Sequence, residues 1–184
     1  MPAEIPARDV GAPAPGPAPA RVTRVGLISD THGWLDPRAV AALEREEPLA
    51  AIVHAGDVGA DPQVLYELGA IAPLTAVLGN CDAPIPGFDL PAFASLKVAG
   101  KRIAVIHDLA DLGPIPEGVD VVVRGHSHIP GVQWHGRALV ANPGSATQRR
   151  KQPSCTIGVL EIEPDGEIRV RIVELDELGA RVRD

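Results

Sequence analysis

Five apolar runs in this chain each end in residues able to bind a metal ion. After Gly26-Leu27-Ile28-Ser29 come Asp30, Thr31, His32 and Gly33; after Ile52-Val53-His54-Ala55-Gly56 comes Asp57. Ala76-Val77-Leu78-Gly79 leads into Asn80, Cys81 and Asp82, and Ile103-Ala104-Val105-Ile106 into His107 and Asp108. Val121-Val122-Val123-Arg124-Gly125 leads into His126, Ser127 and His128. Together they offer Asp30, His32, Asp57, Asn80, His107, His126 and His128: four histidines, two aspartates and an asparagine. Such a mixed nitrogen and oxygen set suits manganese, iron, zinc, nickel or cobalt rather than calcium or a thiolate-bound metal. Seven donors are too many for one ion with an open position and suit two ions sharing a carboxylate.

The spacing has its own logic. Asp30 and His32 are two residues apart, as are His126 and His128. In extended backbone, residues i and i+2 project to the same side, so each pair is expected to face one centre. Glycines at 33, 56, 79 and 125 allow the turns that push the donors out of a sheet. His54 precedes Asp57 within a strand and is expected to be buried and hydrogen-bonded behind the site rather than a ligand. His135 is expected on the surface.

These donors can meet only if successive strand ends lie together. The first half alternates apolar runs with helix-length stretches: a strand from Val25, a helix from Pro37 with Asp36 as N-cap, and a strand at residues 50–53. A helix from Pro62 capped by Asp61 and a strand at residues 74–78 follow. Near-continuous Val/Ile/Leu runs separated by helices predict parallel strands buried on both faces, with ligands at their carboxyl ends. The second half predicts strands at residues 95–98, 102–106, 119–123, 138–141, 156–162 and 168–174, ending in antiparallel pairs. Gly100-Lys101 and Asp165-Gly166 are expected hairpin turns, the latter of type I′. The expected fold class is α/β, with two packed mixed β-sheets and helices outside.

Composition bounds the function. The chain has 184 residues, 45% hydrophobic and 22% charged, as a single globular domain would. Aromatics are only 3%, so the core must be Val, Ile, Leu and Ala. Residues 1–21, rich in Pro and Ala without periodicity, are expected to be a disordered tail before a domain at residues 22–184. A formal net charge of -7 argues against non-specific nucleic-acid binding. No apolar run approaches the ~18 residues of a membrane helix, and no signal-peptide core follows Met1; the cytoplasm is the expected location. The two cysteines, Cys81 and Cys155, are too few for a disulfide framework. An exposed strand edge in the second half could support a homodimer.

The strings Ser29-Asp30-Thr31-His32, Gly56-Asp57, Gly79-Asn80, His107 and Gly125-His126-Ser127-His128, in this order, resemble the calcineurin-like metallophosphoesterases. Gly79-Asn80-Cys81-Asp82 and Asn142-Pro143-Gly144-Ser145 resemble its branch of small bacterial and archaeal phosphodiesterases, which also includes the vacuolar-sorting subunit of retromer. The resemblance implies the two-sheet sandwich of that family. It implies Asp30, His32 and His128 on a first ion, Asn80, His107 and His126 on a second, and Asp57 bridging both. Asp57, Asn80 and His126 would be catalytic, with Asn80 also touching the phosphate and a bridging hydroxide attacking phosphorus in line. The substrate would be a small phosphate ester and the ions divalent, manganese foremost. Three departures stand out. Cys81 replaces a histidine that in many relatives assists the leaving group, which favours diesters over monoesters. Asp108 follows His107 where glycine is usual, and the proline-interrupted segment after it implies a shortened helix. Of a usual Pro-Arg, only Arg149 is kept. Arg124 and Arg149 could each bind phosphate or simply pair on the surface; Cys81 could be a nucleophile or a plain small side chain. A protein-interaction scaffold on the same fold, and a phosphomonoesterase, remain the alternatives.

Overall fold

The computed structural model describes residues 21–175. The tail expected at residues 1–21 lies outside these apart from Arg21, as does the end of the acidic C-terminus. In chain order the elements are β1 (Thr23–Ile28), α1 (Pro37–Arg45), β2 (Leu49–His54), α2 (Gln63–Ile71) and β3 (Leu74–Ala76). Then come β4 (Phe93–Val98), β5 (Lys101–Ile106), β6 (Val121–Val123), β7 (Gly131–His135), β8 (Ala138–Asn142), β9 (Thr156–Ile162) and β10 (Ile168–Glu174). They form two five-stranded mixed sheets, ordered β10-β9-β1-β2-β3 and β4-β5-β6-β8-β7. Two packed mixed sheets with helices is the expected architecture.

In the first sheet β1, β2 and β3 run parallel, and β9 and β10 close one side antiparallel. The expected antiparallel ending is met by β7–β8 and β9–β10, but the middle of the second sheet departs from it. β5, β6 and β8 are parallel to one another, and only β4 and β7 run against them. Their crossovers carry a four-residue 3₁₀ turn (Leu109–Leu112) and the strand β7 instead of helices. No helical period therefore marks them in the sequence. The same substitution accounts for the helix expected to be shortened after His107.

The sheets face each other across a layer of small aliphatic side chains, including Val25, Leu27, Val53, Ile103, Val105, Val121, Val123 and Leu160. Fully burying each such side chain contributes about 1.5–3 kcal/mol. Both helices cover the outer face of the first sheet, where Leu43, Leu65 and Leu68 pack on Ile28 and Ile52. Among the described residues, Leu109, Leu112 and Ile115 pack on the outer face of the second sheet. Asp36 caps α1, its Oδ1 accepting the Arg38 N–H at 2.8 Å. α2 begins at Gln63 rather than Pro62, with Pro62 in the N-cap place expected for Asp61; Asp61 stands one residue earlier and its Oδ1 accepts the Gln63 N–H at 2.9 Å.

The two hairpin turns exchange their expected characters. β4 and β5 are joined by Ala99-Gly100, both with positive φ (45° and 83°), which is the primed geometry. The β9–β10 turn spans residues 164–166, with the Glu163 N–H donating to the Glu167 carbonyl and Gly166 alone left-handed. β7, outside every sequence expectation, is an exposed edge strand with Trp134 59% accessible and His135 on its surface, as expected.

Candidate metal centre

The carboxyl ends of β1, β2 and β3 in one sheet meet those of β5 and β6 in the other, so the candidate ligands line two sheet edges rather than one. The structure brings all seven together. His32 Nε2 lies 3.2 Å from His128 Nε2, which lies 3.3 Å from Asp30 Oδ1. Asn80 Oδ1 sits 3.0 Å from His107 Nε2 and 2.9 Å from His126 Nδ1. Asp57 stands between the groups, Oδ2 at 4.0 Å from His32 Nε2 and Oδ1 at 3.4 Å from His107 Nε2.

The paired ligands do converge, but not through extended backbone. Asp30, His32, Asp57, His126 and His128 all have φ between 50° and 69°. L-residues with side chains rarely adopt this left-handed region, and each such residue costs of order 1–3 kcal/mol. Neighbouring hydrogen bonds hold them there. The N–H groups of Asp30, His32 and Gly33 donate to the carbonyls of Gly56, Asp57 and Val58 at 3.0, 2.9 and 2.7 Å, zipping the β1 and β2 loops together. Gly79 and Gly125 are needed for contact rather than for φ: a Cβ at Gly79 would overlap the Asp57 backbone nitrogen, and one at Gly125 the Ser29 hydroxyl.

Several supporting residues stand in the sequence motifs without a role assigned to them. Asp82 accepts three backbone N–H groups, from Val58 (3.1 Å), Gly59 (2.7 Å) and Gly79 (2.8 Å), locking the Asp57 loop to the Asn80 loop. Asn142 Nδ2 donates to the Gly125 carbonyl and to Ser127 Oγ, bracing the turn that carries His126 and His128. Ser145 and Thr147 donate to the Asp30 carbonyl. The Gly79–Asp82 and Asn142–Ser145 motifs flag Asp82, Asn142 and Ser145, but not what they bond to. His54 is buried as expected, its Nε2 3.0 Å from Thr31 Oγ1, which itself donates to the Val58 carbonyl. Arg149 donates to the Pro153 carbonyl.

The donor chemistry fits cations. His128 Nδ1–H donates to the Gln148 carbonyl and His107 Nδ1–H to the Ala55 carbonyl, which fixes both tautomers. Each ring therefore turns an Nε2 lone pair inward. Asp30 Oδ1 is buried with no hydrogen-bond partner and faces the His128 lone pair. Lone pairs facing each other in a dry site repel unless a positive charge lies between them. Asp30, His32 and His128, and likewise Asp30, Asp57 and His107, have donor atoms all within 4.8 Å of one another.

Ionisation agrees. Burial lowers His32, against the pull of Asp57 and Asp30, and so keeps the ring neutral. Burial raises Asp30, partly offset by the Ser29 hydroxyl, which donates to its Oδ2 at 2.6 Å. Burial would raise Asp57 too, but the Cys81 backbone N–H at 2.9 Å and the nearby histidines prevail and hold it below the usual carboxylate range. The Cys81 thiol is raised by its hydrogen bond to Asp57 and by that carboxylate's charge. Asp30, His107 and His128 are buried, whereas Asn80, Cys81 and His126 face solvent, so the centre opens on the second group's side.

A two-sheet sandwich with histidine and carboxylate donors converging between its strand ends is built to hold metal ions. Residues 23–165 match the calcineurin-like phosphoesterase superfamily domain, and the chain belongs to that family. It is 34% identical over 158 residues to a probable metallophosphoesterase of Methanothermobacter thermautotrophicus, covering 78% of this chain and 87% of the relative. Its fold is similar to that of an archaeal phosphodiesterase (TM-score 0.65, 23% identity, 82% of this chain and 100% of the other). It is also similar to wild-type Vps29 complexed with zinc from Entamoeba histolytica (TM-score 0.60, 19% identity, 83% and 99%). Members of this family are metal-dependent, and no helix among the described residues is long and apolar enough to cross a membrane.

Proposed function

We propose that the chain is a phosphodiesterase working on a small phosphate ester with two divalent ions, manganese foremost, and acting in the cytoplasm without non-specific nucleic-acid binding or membrane attachment. One observation carries the reading: seven donors form two groups with the Asp57 carboxylate shared between them. Asp30, His32 and His128 would hold one ion, Asn80, His107 and His126 the other, and Asp57 both. When bound, such a pair activates water at neutral pH and neutralises the phosphoryl oxygens. The protein supplies the rest. Asp57, ionised and buried, balances the positive charge. Asn80 directs its carbonyl oxygen inward, and its amide, which donates to Cys81 Sγ at 3.4 Å, stands at the solvent-facing side where it would meet the phosphate. His126 marks the opening through which the ester enters.

The diester preference is supported by Cys81. A thiol raised above its usual value is a weak substitute for an imidazole acid at the leaving group. Esters that leave without protonation are then favoured over monoesters of basic alcohols. The exposed edge of β7 offers a place for a second copy to pair.

The test strips the protein with chelator, adds back Mn, Ni, Co, Mg or Zn singly, and follows hydrolysis of bis-p-nitrophenyl phosphate. Restoration by one ion, with loss in Asp57→Ala, supports the proposal. Turnover indifferent to chelator sinks it, and absence of any metal binding would favour a protein-interaction scaffold instead. Faster turnover of p-nitrophenyl phosphate than of the diester would make it a monoesterase.

A further inference from the structure

The second group of candidate ligands opens into a cleft of about 460 Å³, within the size range of small-molecule sites. Asn80, His107 and His126 border it on the side of the centre, and Leu78, Phe93 and Ile106 give it apolar walls. The walls come from edge strands of both sheets, Leu78 just after β3 and Phe93 at the start of β4. The Leu78 N–H donates to the Pro91 carbonyl at 2.9 Å, which ties the approach to Asn80 to the chain entering β4. Phe93 is paired across the strands with Ile106, the residue before His107. Backbone pairing thus fixes this wall relative to two ligands.

Phe93 has no place in the core. Along β4 the alternation turns Ala94, Leu96 and Val98 into the layer between the sheets and Phe93 away from it. It is one of only two phenylalanines in a chain whose core is aliphatic, and 41% of it is exposed. A ring left bare beside the centre offers a face on which a planar group can stack. The rim carries charge of one sign. Asp108 Oδ1 accepts the Ala110 N–H at 3.0 Å and its Oδ2 stands 3.8 Å from His126 Nε2, which places the carboxylate at the mouth. Asp111 lines the cleft from the same turn, its N–H donating to the Asp108 carbonyl at 3.2 Å. No lysine or arginine is among the described residues lining it. Cations bound at the centre would draw in one phosphoryl group, but a second negative group reaching into the cleft would meet two carboxylates.

We propose that this cleft receives an organic group of the ester, with Phe93 as its stacking wall and Asp108 and Asp111 as a filter against a second negative charge. The preferred substrate is then a phosphodiester with a planar, uncharged aromatic group on one alcohol and no anion beyond the phosphodiester itself. This rests on the phosphoesterase reading above and narrows its substrate class.

The experiment uses the full chain loaded with manganese. Methylphosphonate, phenylphosphonate and para-carboxyphenylphosphonate each offer the centre one phosphonate and differ only in what reaches the cleft. They are compared as inhibitors of bis-p-nitrophenyl phosphate hydrolysis and titrated calorimetrically. Wild type is expected to bind the phenyl compound about tenfold more tightly than the methyl one, as burying part of a ring gives. The para-carboxyl group should weaken binding several-fold at low salt. In Phe93→Ala the phenyl-to-methyl ratio should fall toward one, with partial recovery in Phe93→Leu. In Asp108→Asn/Asp111→Asn that ratio should persist while the carboxyl penalty disappears. General damage to the centre weakens all three compounds alike and leaves both ratios unmoved. A wild-type phenyl-to-methyl ratio of one, a ratio unchanged in Phe93→Ala, or a carboxyl penalty that survives the double variant overturns the inference. Absence of reporter turnover in wild type would instead count against the phosphoesterase reading, while the calorimetric ratios would still decide on the cleft.

Discussion

Replacing Asp82 by alanine removes one carboxylate on which three backbone N–H groups converge, at 2.7, 2.8 and 3.1 Å. Hydrogen bonds to a charged group contribute about 1.5–3 kcal/mol each when isolated. Three on one half-buried carboxylate do not add, because water reaches the site in the variant and re-solvates part of what is lost. A net destabilisation of about 3 kcal/mol follows, which for a chain of this length lowers the melting temperature by roughly 6–12 °C. The larger effect should be on metal. Without Asp82 the Asp57 and Asn80 loops are no longer tied to each other, so the shared carboxylate and the amide drift apart. Asp82→Asn offers one carbonyl oxygen for three donors and should fall between alanine and wild type. Melting of the metal-free protein and calorimetric titration with Mn check both parts. An Asp82→Ala protein with wild-type melting and wild-type metal affinity refutes the reasoning.

Other predictions concern neighbouring groups. Burial lowers His54 from 6.5 to about 4, so the folded protein refuses a proton that the unfolded chain accepts. Stability should therefore be unaffected by this group above pH 6.5 and fall by up to about 3 kcal/mol between pH 6.5 and 4. Denaturant titrations across that range should show a flatter slope in His54→Gln, and an equal slope in both proteins would contradict the assignment. Cys81→His places an imidazole at the mouth and should raise p-nitrophenyl phosphate turnover relative to the diester by on the order of tenfold or more; an unchanged ratio would detach Cys81 from leaving-group chemistry. Gly79→Ala drives a Cβ into the Asp57 backbone nitrogen and Oδ1, and is expected to abolish metal binding with folding largely retained. Circular dichroism beside a Mn titration would test this, and a variant binding Mn normally would count against it.

Much of this centre was legible because its ligands sit at fixed places after apolar runs. Asp30, Asp57, Asn80, His107 and His126 were each marked by the strand before them, and the structure gathers them with His32 and His128. The geometry joining each pair was not legible. Left-handed backbone at Asp30 and His128 is imposed by hydrogen bonds from loops far away in sequence, and local spacing carries no trace of them. β7 escaped because its alternation is brief, Val132 and Trp134 against Gln133 and His135, and begins at Gly131 just after Pro130, where a turn is the plainer reading. The parallel arrangement of β5, β6 and β8 was hidden for a related reason, since strand direction was read from intervening helices and none intervenes.

The division of the ligands between the sheets has a mechanical consequence. Asp30, His32, Asp57 and Asn80 follow strands of the first sheet, while His107, His126 and His128 follow strands of the second. His32 and His128 are 96 residues apart in the chain. An ion gripping both would therefore act as a clasp, closing a loop as long as one a disulfide might close, with affinity in place of a covalent bond. Each ion held at a hundred times its dissociation constant would add about 2.7 kcal/mol against unfolding. Heat resistance then becomes a gauge of ion supply, and prising the two halves of the sandwich apart would release the ions in the same motion.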